Sequence, residues 1–167
     1  MKNLFYSFIL LTIPGFSNGQ TNAETISWIN DQISQHRYEA STHPLGSFSF
    51  SNQIFEKTYL FQRHCIYKSE GAGDVVRIGE TSVHYKDITS IELREAEKCY
   101  VFKLYCKNGS VKESTIVDYK IASTSMIKYA EILIDKTNPT LFERVPKGLM
   151  HLIKLNGGNA TLKKAPF

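Results

Sequence analysis

The side chains able to do chemistry are few and scattered. The five histidines are His36, His43, His64, His84 and His151, and none forms an H-x-x-x-H or H-E-x-x-H pair. His64 adjoins Cys65, but neighbours on a strand point to opposite faces, a poor geometry for a Cys-His nucleophile or a shared metal. Cys65, Cys99 and Cys106 contain no C-x-x-C spacing, which argues against a zinc knuckle or a thioredoxin-like site. Gly71-Ala72-Gly73 lacks the Lys-Ser/Thr pair and the helix start that a phosphate loop needs, and reads as a turn. No G-x-S-x-G motif occurs. The sequence therefore implies no catalytic residue, no metal ligand set and no cofactor.

One polar pattern has order. Arg144, Lys147, His151 and Lys154 recur at i, i+3, i+7 and i+10, and at about 100° per residue they share one side of a helix. Phe142, Val145, Leu149 and Leu152 take the other side. The basic side suits an anionic surface such as lipid headgroups or acidic glycans, or else it is the solvated half of an amphipathic helix. Lys163 and Lys164 carry the basic character into the tail.

The elements that must position these residues follow from local signals. Asn138-Pro139 opens the last helix, over about 139–156, and Asn156-Gly157-Gly158 stops it; Pro146 should kink or split it. Thr21 with Glu24 forms a capping box, and Ile26, Ile29 and Ile33 give an apolar stripe, so a first helix is expected over about 23–38. Trp28 lies off that stripe, either as a boundary aromatic or as an exposed contact residue. Strand patterns fill about 48–134, with breaks at His43-Pro44-Leu45-Gly46, at Glu70 to Asp74 and at Asn108-Gly109. Tyr100, Phe102, Leu104 and Cys106 form the clearest apolar face, and Met126 to Ile134 reads as one more strand. The fold class is α+β: an N-terminal helix, about seven strands in a mostly antiparallel sheet or partly open barrel, and a C-terminal helix packed on it.

Met1-Lys2-Asn3 is basic, Leu4 to Phe16 is mostly apolar, and Ser17-Asn18-Gly19 offers small residues for a cut before Gln20. That order is a secretory signal, and a mostly apolar run of thirteen residues is too short to span a bilayer, which takes about 20. Residues 1–19 are thus expected to leave a single domain over 20–167, secreted or periplasmic and not membrane-spanning. Without Lys2 the chain keeps 19 Lys+Arg against 16 Asp+Glu, a charge of +3 that does not suggest nucleic acid. Export permits a disulfide. If one forms, strand alternation favours Cys65 to Cys106 with Cys99 left on the Lys103 and Lys107 face; the alternative is buried free thiols. Asn108-Gly109-Ser110 and Asn159-Ala160-Thr161 match the glycosylation sequon.

The segment Val83-His84-Tyr85-Lys86-Asp87-Ile88-Thr89-Ser90-Ile91 is similar to a strand entry in bacterial and lipid-binding relatives of the pleckstrin-homology fold. The stretch from Arg144 to Leu155 resembles the closing helix of short secreted bacterial proteins of unknown function. Together they cover about residues 48–157 and imply a β-barrel-like binding or scaffolding module without an active site. The expected function is a non-catalytic exported module contacting a protein or an anionic envelope surface. Two other readings are a carrier of a small apolar ligand, lined by Tyr100, Phe102 and Leu104, and a hydrolase without a recognisable motif.

Overall fold

Thr21 and Glu24 cap the first helix reciprocally: Glu24 N donates to Thr21 Oγ1 at 3.2 Å, and Thr21 N donates to Glu24 Oε2 at 2.8 Å. These bonds hold the Glu24 carboxyl below its ordinary range, the backbone bond from Thr21 being the largest cause. The computed structural model describes residues 21–38, 47–70, 73–107, 110–117 and 120–164, by backbone alone at 47–52, 64–70, 73–78 and 117. The expected signal peptide at 1–19, the break around His43 to Gly46 and the Asn108-Gly109 turn lie outside the described residues.

Helix α1 runs Asn22–Gln35 and buries Thr25, Ile29 and Ile33. It stops three residues short of the expected Tyr38 because the chain is taken up by a strand edge: His36 O accepts from Asp135 N at 2.8 Å, and Arg37 bridges to Ile134. The strands are β1 (Ser47–Phe55), β2 (Tyr59–Glu70), β3 (Gly73–His84), β4 (Ile88–Glu95), β5 (Cys99–Cys106), β6 (Val111–Val117), β7 (Lys120–Ile127), β8 (Tyr129–Asp135) and β9 (Thr161–Lys164). Helix α2 (Leu141–Leu155) lies between β8 and β9, and a 3-10 turn (Tyr85–Asp87) joins β3 to β4. The α+β class holds, with nine strands among the described residues in place of about seven.

The strands divide into two sheets and do not close into a barrel. One sheet has the order β1-β2-β3-β6-β7, the other β8-β5-β4-β9, and only the β4–β9 pair is parallel. The stretch Met126 to Ile134 is two strands, because the chain changes sheets at Lys128, whose carbonyl accepts from Cys106 N at 2.9 Å. β3 runs unbroken through Gly79, which is laddered on both sides, to His64 and to Thr115.

The outer edge of β8 lies along a seam that side-chain amides from the other sheet close. Gln62 Nε2 donates to Glu131 O at 2.5 Å and Gln53 Nε2 to Leu133 O at 3.3 Å, so two β2 and β1 side chains satisfy carbonyls of β8. Gln62 is only 3% exposed, and a buried donor there requires such a partner. Asn30 of α1 imitates a peptide group against β1: Phe55 N donates to its Oδ1 at 2.8 Å, and its Nδ2 donates to Phe55 O at 3.0 Å.

One core fills the space under α1 and α2. Tyr100, Phe102 and Leu104 face it together with Leu149 and Leu152, as expected, and Phe142 packs on its margin with ring centres 4.9 Å from Tyr100 and 6.3 Å from Phe102. The α2 N-cap is Thr140 rather than Asn138; Asn138 Oδ1 instead accepts from Thr140 N at 3.2 Å, tightening the turn ahead of the helix. α2 is not split at Pro146, which is buried within one continuous element close to its start. Leu149 is fully buried in this core. Leu149→Ala should cost about 2–5 kcal/mol in urea-induced unfolding, as deletion of a well-packed core side chain does; a loss below about 0.5 kcal/mol would mean that α2 is not docked.

Candidate anion-binding hollow on the last helix

The end of α2 is built by a Schellman motif. Gly158 N donates to Ile153 O at 2.8 Å and Gly157 N to Lys154 O at 3.1 Å, with Gly157 at φ 76°, the left-handed region that glycine enters without strain. Asn156 Nδ2 adds a bond to Leu152 O at 2.8 Å. The chain then turns back beside the helix and enters β9. Gly158 sits where a Cβ would lie 2.7 Å from Ile153 Cγ2 and 3.0 Å from both Lys86 Cα and Tyr85 O. Only a glycine lets this connector press against the helix and the 3-10 turn together.

Between helix and connector lies a hollow of about 500 Å³, lined by Lys147, Met150, His151, Ile153, Lys154, Gly158, Asn159 and Ala160. Its floor is apolar: Ile153 is 1% exposed and Ala160 7%. Its rim holds three of the four basic side chains expected on one helix side. Lys147 and Lys154 are exposed and His151 is half-buried. The fourth, Arg144, turns to α1, its guanidinium carbon 4.8 Å from the Trp28 ring centre. Trp28 is accordingly a half-buried aromatic packed on the core margin, under a cation. Lys154 also offsets the negative end of the helix dipole.

Sequence reasoning placed the basic stripe but not the hollow. The glycine pair read as a helix stop, and nothing local says that Gly158 must face Tyr85 and Lys86. β9 was missed because Thr161 to Lys164 looked like a basic tail; it pairs with β4, setting Lys163 opposite Glu92. The sequon residue Asn159 lines the hollow.

Several other chemistry-bearing groups among the described residues are engaged in the fold. Cys99 and Cys106 are buried free thiols, so the bridge from Cys65 to Cys106 is not made, and the Cys65 side chain lies outside the described residues. Cys99, expected on the Lys103 face, is only 7% exposed. Burial pushes both thiols up, Cys106 to about 12 with Asp87 adding to it, which leaves them protonated and unreactive at neutral pH. The Tyr85 phenol is raised by burial and donates to Glu56 O at 2.8 Å, pinning the crossover between the sheets.

His36, Thr137 and Asp135 form a clamp between the end of α1 and the end of β8. His36 Nδ1 lies 2.8 Å from Thr137 Oγ1 and 3.4 Å from Asp135 Oδ1, while the Thr137 hydroxyl donates to Asp135. The hydroxyl proton points to the carboxylate. Burial alone would raise the Asp135 carboxyl, but the Thr137 hydroxyl and amide, with His36, bring it below its ordinary value. A depressed carboxyl stabilises the fold above the unfolded aspartate range, about 3.9, and that contribution fades as pH falls through the lowered value. Residues 36 and 135 are too far apart in sequence for their meeting to be read locally.

Tyr100, Phe102 and Leu104, the expected lining for an apolar ligand, are 5%, 0% and 0% exposed and are packed against the α2 side. Among the described residues no three His, Cys, Asp or Glu side chains gather as a metal site, and no helix is long and apolar enough to cross a membrane. No family model matches the chain, and neither a curated protein nor a solved structure matches it.

The glycine requirement is open to test. Gly158→Ala should destabilise by about 1–3 kcal/mol, the ordinary cost of overpacking, and Gly157→Ala by about 1–2 kcal/mol through the left-handed backbone. Urea midpoints equal to the parent chain for both variants would show that the connector does not sit against the helix as described.

Proposed function

We propose that the protein is a non-catalytic binding module of the cell exterior whose contact site is the basic hollow on α2. The observation that carries this reading is the convergence of Lys147, His151 and Lys154 on one apolar-floored hollow. Cations alone suit any anion, and an apolar floor alone suits any hydrocarbon. Their combination suits an anionic headgroup attached to an apolar body, as at a lipid surface. Met150, Ile153 and Ala160 would take the apolar portion, and the lysine ammonium groups would approach the charge from the rim. The secretory pattern in residues 1–19 supports placing this contact outside the cytoplasm.

Vesicle co-sedimentation tests the proposal. Vesicles rich in anionic phospholipid should retain the protein and purely zwitterionic ones should not. Added salt should weaken retention, because such contacts are screened. Replacing Lys147 and Lys154 together by Gln should lower the affinity about tenfold or more, given about 1 kcal/mol per basic residue near an anionic surface. Both side chains are exposed, so the variant should keep the parent's thermal midpoint. Equal retention on the two vesicle types, or by the double variant, would overturn the assignment.

A further inference from the structure

The two sheets have four outer edges, and three of them carry protection. The β1 edge has Asn30 against both backbone groups of Phe55. The β8 edge carries Gln53, Gln62 and the Arg37 bridge. β9 is four residues long and ends in Lys163 and Lys164; shortness and lysines both discourage edge pairing. β7 differs. It is eight residues long, exposed from Lys120 to Met126, and carries one charge, Lys120, at its start. No described element pairs with its outer edge.

The register places its apolar side chains. Ile121 pairs with Ile116 and Ser123 with Thr115, so Ala122 is an extra residue. That bulge brings Ile121 to the same side of the sheet as Met126, which pairs with Lys112. The two are 67% and 54% exposed. The edge from Ser123 to Ile127 is regular beyond the bulge.

We propose that β7 is the contact between two copies of this chain, running antiparallel so that the five-stranded sheets become one continuous sheet. β7 has almost no charge with which to select a foreign partner. It is self-complementary: a two-fold axis perpendicular to the sheet preserves its faces, so Ile121 and Met126 of both copies gather on one side. The same operation sends the two Lys120 side chains to opposite ends of the ladder, where they do not repel.

Sedimentation velocity on the full chain across a concentration series reads the result. The parent protein should dimerise reversibly, and amide exchange across β7 should slow with rising concentration while exchange in β9 stays constant. Ile121→Lys with Met126→Lys should weaken self-association at least tenfold at an unchanged thermal midpoint, since both positions are already more than half exposed. Leu162→Lys on β9 should leave the dimer intact. A chain monomeric up to about 1 mM, the range of weak associations, would overturn the proposal. So would a dimer that the double variant leaves unchanged, or a monomer whose β7 amides are protected only by an added foreign peptide.

Discussion

The structure depends on how the open edge of β8 is satisfied where it meets the other sheet without a backbone ladder between them. Strand β8 belongs to one sheet and β1 and β2 to the other, and β8 presents carbonyls that would lack partners if the sheets simply abutted. Gln53 and Gln62, which pair across β1 and β2, resolve this with side-chain amides, and Asn30 does the same for Phe55 at the edge of β1. A buried carbonyl without a donor costs about 1–3 kcal/mol, so a seam holding several of them is the point on which docking of the sheets turns. Helix α1 is tied to both sides of it, through Asn30 to β1 and through His36 and Arg37 to β8. The clamp of His36, Thr137 and Asp135 holds the same junction from its solvent side.

The rest follows from the fixed distance between the sheets. α2 rests against α1 and lays Leu141, Val145, Leu149 and Leu152 on the core, which turns its basic side outward. The Schellman turn then returns the chain along that outward side, and Gly158 lets it close against Ile153 and the crossover turn. The hollow is therefore framed by a docked helix and a tightly packed connector. Tyr85 backs the connector at Gly158, and its buried hydroxyl anchors the crossover to Glu56. A site framed in this way keeps its lysines near one another at little cost in chain ordering.

What was legible in the sequence was local. Thr21 and Glu24 announce the first helix because a capping box is complete within four residues, and the 3.6-residue stripe of α2 needs no partner to be seen. Period-two alternation marked β5 correctly from Tyr100 to Cys106. What failed was decided at a distance. Gln62 looks like one more polar strand residue, yet it is buried, because its partner is a carbonyl 69 residues away. Cys99 looks solvent-facing by alternation but is buried. Thr161 to Lys164 has too little apolar character to suggest a strand, and only β4 makes it one. The four basic residues of α2 were found by spacing alone, whereas their division, three to the hollow and Arg144 to Trp28, depends on where α1 lies.

The most direct measurement is the unfolding free energy of Gln62→Met, which keeps the length and bulk of the side chain and removes its donor. If the seam amides hold the sheets together, Glu131 O is left unsatisfied and the variant should lose about 1–3 kcal/mol, with faster amide exchange along β8. Unchanged stability and unchanged β8 protection would contradict the account.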